Sequence, residues 1–168
     1  MRFIEWAGVR LFQGFVEMPR GWATNLLEEF FKHQGSVEKS HKIAGRWENQ
    51  YLTIDHAPSA RIPMRFARNM GKDGLDISSM ILFEAPSGSP NPHPPFWFNV
   101  AGKGEKTGLH DHAHGSILSA VTYLQAEENC GHLYFRKEGF EDLTIKPEVG
   151  KIIIFPPSLL HGVHVNHS

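Results

Sequence analysis

Ile152-Ile153-Ile154-Phe155-Pro156-Pro157-Ser158-Leu159-Leu160-His161 is the stretch whose reading decides the fold. It reads as an apolar strand, beginning at Lys151, that stops at a pair of prolines and carries an imidazole at its far end. Upstream, His110-Asp111-His112 supplies two more imidazoles. Residues two apart in an extended segment point to the same side of a sheet. The third imidazole can close over that pair. Three ligands on one face, with the other face open, form a mononuclear metal site that keeps free positions for substrate and oxygen.

The spacing leaves two points open. His112-Ala113-His114 has the same geometry, so the pair can be shifted by two residues. Asp111 can replace an imidazole if the backbone bends. The primary reading is the trio His110, His112 and His161. The chain holds 11 histidines, eight of them beyond residue 90, a clustering that a scattered surface population does not produce. His93, His132, His164 and His167 are read as structural.

Outward from the histidines, short strand candidates alternate with Gly and charged turns. They are Ile77–Phe83, Phe96–Val100, Ile117–Leu124, His132–Arg136, Leu143–Ile145, Lys151–Phe155 and Gly162–Val165. Many short strands separated by turn residues indicate a sandwich, barrel or jelly roll. The loop from Ala85 to Pro95 holds five prolines and is a candidate lid.

The first half is different. Residues 1 to 16 contain strand material, and Pro19–His33 reads as a helix with Leu26, Leu27, Phe30 and Phe31 as its apolar stripe. Residues 36 to 56 are polar, with a dense cluster at Arg46-Trp47-Glu48-Asn49 that either packs as a salt bridge or lines a substrate entrance. Ser59–Met70 reads as a helix carrying Ile62, Phe66 and Met70 on one side, with Pro63 in its first turn. The expected organisation is one domain over residues 1–168. Residues 1–75 form an N-terminal helical and strand support, and 76–168 a jelly-roll core.

Bulk properties restrict the function. With 168 residues and 40% hydrophobic content, the chain can build one real core. A net charge of -1 gives no basic excess for nucleic acid. The single cysteine, Cys130, excludes an intrachain disulfide. Residues 1 to 11 include Glu5 and no apolar run of signal-peptide length, and no stretch approaches the ~20 apolar residues of a membrane span. The reading is a cytoplasmic protein with no membrane or nucleic-acid partner, and a homodimer is compatible with it.

Several segments carry a resemblance. Trp97-Phe98-Asn99, Lys103-Gly104-Glu105, Leu109-His110-Asp111-His112, Leu118–Leu124, Gly131-His132-Leu133-Tyr134-Phe135 and Pro147 through Val163 occur in that order. Over residues 96 to 166 the chain resembles small microbial and phage 2-oxoglutarate/Fe(II) oxygenases. The resemblance implies a mainly β, double-stranded β-helix (jelly roll) with N-terminal supporting helices. It implies a dioxygenase using Fe(2+) and 2-oxoglutarate on a small-molecule or peptidyl substrate. His110 and His161 match ligands, and His112 falls where most of the superfamily has Asp or Glu. Asn99 and Tyr123 match positions that contact the cosubstrate. The family's carboxylate-binding arginine and last barrel strand are expected beyond Ser168, with Arg136 a conceivable substitute. A three-histidine cupin enzyme working without 2-oxoglutarate and a non-enzymatic jelly-roll binding module are the alternatives.

Overall fold

The computed structural model describes residues 2–78 and 81–168. Among these described residues, ten strands and two α-helices follow the order β1 (Arg2–Trp6), β2 (Val9–Phe15), α1 (Trp22–Lys32), β3 (Glu38–Ile43), β4 (Arg46–Tyr51), α2 (Arg61–Gly74), β5 (Thr107–His110), β6 (Ser119–Thr122), β7 (Leu133–Phe135), β8 (Leu143–Ile145), β9 (Lys151–Phe155) and β10 (His161–Val163). Among the described residues, strands make up 28% and helical segments, 3-10 turns included, 19%, so the fold is mainly β.

Two four-stranded antiparallel sheets, β1-β2-β9-β6 and β5-β10-β7-β8, form the body. From β5 onward the chain crosses from one sheet to the other and back, which is the winding of a jelly roll. The sheets do not close into a barrel.

β9 shows why the sequence folds this way. Its five residues are all buried. Ile152 and Ile154 point to the helical side, where they meet Trp22, Leu26, Phe30 and Ile54. Ile153 and Phe155 point between the sheets, where they meet Leu11, Leu133, Phe135, Ile145 and Leu159. A strand covered on both faces has no polar face, hence the uninterrupted apolar run. Each such side chain contributes about 1.5–3 kcal/mol through burial. Lys151 keeps its place in this strand because its Nζ reaches the Lys146 carbonyl at 2.8 Å and the Glu148 carboxylate.

The helices brace one sheet. α1 buries Trp22, Ala23, Leu26 and Phe30, a narrower stripe than the sequence suggests, because Leu27 is only half-buried and Phe31 is 59% exposed. Trp22 Nε1 donates to the Val16 carbonyl at 2.7 Å, tying the helix start to the end of β2. α2 begins with Pro63 in its first turn and ends at Gly74. A side chain at Gly74 would sit 1.9 Å from the Phe3 ring, so α2 and β1 approach this closely only with glycine there.

Three expectations need correcting. The described residues of the expected Ile77–Phe83 strand are irregular, and Ser79 and Met80 lie outside the described residues. In place of a strand over Phe96–Val100, the chain makes one bridge, Phe98 to Gln50, through two backbone hydrogen bonds of 2.8 and 3.0 Å. The five prolines and turns before it leave no room for a ladder. The polar stretch 36–56 contains the β3–β4 hairpin, with Lys39 opposite Gln50 and Lys42 opposite Trp47. Its polar composition hides the strand period. No helix among the described residues is long and apolar enough to cross a membrane.

Candidate metal centre

β5 and β10 are antiparallel neighbours, with His110 directly opposite His161. The ring centroids of this pair are 4.3 Å apart. His112 lies just beyond β5, 5.0 Å from each of the other two rings. Its backbone N–H donates to the Pro157 carbonyl at 2.7 Å, so the proline turn that introduces β10 also fixes the segment after β5. Ligand atoms of the three imidazoles lie within 4.8 Å of one another.

Hydrogen bonding fixes the tautomers. His110 Nδ1 lies 2.8 Å from the Gly108 carbonyl, and His161 Nδ1 lies 2.8 Å from the Leu159 carbonyl. A carbonyl only accepts, so both Nδ1 atoms carry hydrogen and both Nε2 lone pairs are free. Bonding of the second ring nitrogen to a carbonyl is how protein imidazoles are oriented toward metals. His161 is buried, and its ring packs on Phe155 at 4.8 Å and Phe135 at 6.1 Å. Trp97 stands edge-on to His112 at 5.3 Å.

Burial lowers the His161 pKa to about 4, against a raising effect of the Leu159 carbonyl and with smaller lowering from His110 and His112. Burial also lowers His112, with His110 adding to the effect and Asp111 opposing it. Both are therefore uncharged at neutral pH, the state that ligates metal. The metal-free protein should register this in its stability. An unfolded histidine titrates near ~6.5. Between that value and the folded one, the unfolded chain binds more protons. Stability is complete above pH ~6.5 and falls as pH drops toward ~4. At pH ~5 this group should cost about 2 kcal/mol. Urea unfolding of the protein and of His161→Asn at pH ~7.5 and ~5 checks this, and equal losses in both would refute it.

The other residues singled out by sequence lie as follows. His114 is exposed and outside the cluster. Asp111 is exposed, and its Oδ1 accepts the Ala113 N–H at 3.1 Å. Asn99 donates to the Glu48 carbonyl at 3.0 Å and accepts from Arg46 Nη2. Arg46 forms a buried ion pair with Glu48 at 2.9 Å, so the cluster at 46–49 packs as a salt bridge. Arg136 directs its guanidinium to Asp142 at 2.6 and 3.0 Å, on the surface. The Tyr123 hydroxyl is buried and has no hydrogen-bond partner among the described residues. Burial pushes its pKa up, with the Cys130 thiol adding to the effect, so it remains a proton donor. Tyr123 packs with Val121 against the inter-sheet core, as alternation along β6 requires.

Trp97 is the site feature that sequence reasoning did not assign. Its signal is local alternation: Phe96 and Phe98 dock in the helical core, with Phe98 stacked on Phe30 at 4.4 Å. A residue between two anchored neighbours faces the other way. Trp97 meets His112 on one side and Tyr51 at 6.2 Å on the other. Tyr51 in turn stacks on His93 of the proline-rich loop at 4.2 Å, which pins that loop to the hairpin.

A scan against protein-family models gives no match, and a search of curated proteins gives none either. Solved structures do match. A prolyl-4-hydroxylase from Pseudomonas putida superposes with a TM-score of 0.66 at 16% identity, over 94% of this chain and 86% of that one. A prolyl hydroxylase from Trichoplax adhaerens, in complex with a hypoxia inducible factor oxygen degradation domain peptide fragment, gives 0.65 at 13% identity, over 94% and 78%. A local match covers 39% of this chain and 34% of a 2OG-Fe(II) oxygenase family oxidoreductase from Burkholderia pseudomallei, with a TM-score of 0.36 at 20% identity. At these identities the two extended matches establish a shared jelly-roll fold.

Proposed function

We propose that this protein is an Fe(II)- and 2-oxoglutarate-dependent dioxygenase that hydroxylates a peptidyl side chain or a small molecule. The observation that carries the reading is the convergence of three imidazoles, two of them with Nδ1 bonded to a carbonyl and Nε2 free. His110, His112 and His161 would hold the iron. This donor set suits an imidazole-binding divalent metal and leaves coordination positions for other ligands. Iron and 2-oxoglutarate would supply oxygen activation, with succinate and carbon dioxide released as substrate is hydroxylated.

The chain's own residues account for the rest. The unpartnered Tyr123 hydroxyl is a buried donor in need of an acceptor, and a cosubstrate carboxylate would satisfy it. Asn99 would contribute by holding the Arg46–Glu48 cluster at the approach to β5, its amide already engaged there. Phe135, Phe155 and Trp97 would keep water from the reacting face. The peptidyl option draws support from the peptide in the Trichoplax complex, whose enzyme shares this fold.

The all-imidazole donor set favours one second reading, a three-histidine metalloenzyme of cupin type that works without 2-oxoglutarate. Anaerobic reconstitution with Fe(II), followed by 2-oxoglutarate titration, separates the two. The expected result is a visible metal-to-ligand charge-transfer band that saturates with 2-oxoglutarate. Stoichiometric iron with no such band would sink the first reading and favour the second.

A further inference from the structure

We propose that His112 makes this centre an anion acceptor: held by three imidazoles and no carboxylate, a bound divalent ion keeps its full double charge, and that charge holds the carboxylate of a 2-oxo acid at the metal end of the pocket. The inference rests on the dioxygenase reading and gives His112 a role in cosubstrate selection beyond ligation.

Its basis is the composition of the cluster. Among the described residues, the converging group contains three histidines and no acid. Asp111, the carboxylate next in sequence to two of them, is turned to the Ala113 amide and exposed. The walls add to the effect. Phe155 and Phe135 pack on His161, and Trp97 packs on His112, so rings replace part of the water that would screen the ion. Removing one unit of positive charge about 4 Å from a carboxylate changes affinity roughly fivefold in bulk water, and more where water is partly excluded.

The location of the charge has a second consequence. It acts on the 2-oxo carboxylate end of the ligand. A distal carboxylate, several bonds further out, is more strongly screened. Pyruvate and 2-oxoglutarate should therefore gain from His112 by nearly the same factor.

The test uses Co(II), whose visible d–d spectrum reports ligand binding directly. The protein and His112→Asp are loaded with Co(II), and metal content is measured. Each is then titrated with pyruvate, with its neutral analogue pyruvamide, and with 2-oxoglutarate. In the unsubstituted protein, pyruvate should bind at least about tenfold more tightly than pyruvamide. In His112→Asp, pyruvate and 2-oxoglutarate should each weaken by about tenfold or more, by the same factor within about threefold, with pyruvamide little changed. Equal binding of pyruvate and pyruvamide to the unsubstituted protein would overturn the proposal, a result that does not depend on the variant folding. Unchanged or tighter anion binding in His112→Asp would overturn it too. A weakening confined to 2-oxoglutarate would move the effect to the distal end of the pocket and reject His112 as its source. Absence of cobalt uptake by the unsubstituted protein would defeat the metal reading itself, a failure distinguishable from the others.

Discussion

Replacing His161 by alanine is expected to abolish metal binding, and replacing His114 by alanine to leave it intact. His161 is the most enclosed member of the trio, 4% exposed, with its ring between Phe155 and the facing His110. Removing an outer group that merely orients a ligand costs roughly 10–100-fold in metal affinity. Removing the ligand itself from a three-ligand site should cost more than that. His110→Ala should behave alike, since His110 and His161 form a directly opposed pair across β5 and β10. His114 has the right spacing from His112 but lies exposed in the following turn, outside the converging group. Metal content and Fe(II) titration of the purified variants decide the matter. Iron lost from His114→Ala but kept in His110→Ala would shift the site by two residues. Iron retained in His161→Ala would remove the distal ligand from the scheme.

The sequence made some of this legible. The segment Lys151–Phe155 and the segment Leu143–Ile145 are strands with the bounds read from their patterns, because a doubly buried strand and a strand bounded by charged turns carry unambiguous signals. The closeness of the three imidazoles was legible from the two-residue spacing of His110 and His112, although His112 lies just beyond β5, and the pairing of β5 with β10 had to come from the fold. The face assignment of Phe31 was not. It and Phe30 are equally apolar, and helix phase alone did not decide which one met the core. The β3–β4 hairpin was missed because its strands, Glu38–Ile43 and Arg46–Tyr51, are composed mostly of charged and amide residues, which β3 exposes while β4 buries Arg46 and Glu48. Contacts remote in sequence hold them: pairing with each other, the bridge to Phe98 and the hydrogen bonds of Arg46 to Val100 and Lys106. Trp97 was hidden for a related reason: its orientation is set by two neighbours whose own docking sites, Phe30 among them, are remote in sequence.

The same remoteness governs Arg46, and the largest stability effect outside the hydrophobic core is expected there. The Arg46 side chain is 8% exposed and that of Glu48 is 9%. Arg46 Nε donates to the Val100 carbonyl at 2.9 Å, and Nη1 donates to Glu48 at 2.9 Å and to the Lys106 carbonyl at 3.0 Å. Nη2 donates to Asn99. One guanidinium thus joins β4 to the segment 99–107 that enters β5 and leads to His110. A planar, permanently charged donor fork is suited to serving several acceptors at once. Arg46→Ala would leave the Glu48 carboxylate buried and two backbone carbonyls without this donor. Breaking a buried pair by removing one partner costs about 3–5 kcal/mol. Glu48→Ala should cost less, because Glu105, 42% exposed, lies 3.3 Å from Arg46 Nε and still offers a negative charge. The double variant Arg46→Met with Glu48→Leu should recover most of the loss, since apolar replacement of both partners removes the desolvation penalty along with the attraction. Denaturant unfolding of Arg46→Met, Glu48→Leu and the double variant tests this as a cycle, and a coupling between the two sites of at least about 1 kcal/mol is expected. A loss below about 1 kcal/mol in Arg46→Ala would mean that water enters the cluster and screens the pair, as it does for exposed ion pairs. The β3–β4 hairpin would then have to be held against the rest of the fold by the Gln50–Phe98 bridge and the packing of Tyr51, and Arg46 would have no part in setting the approach to His110.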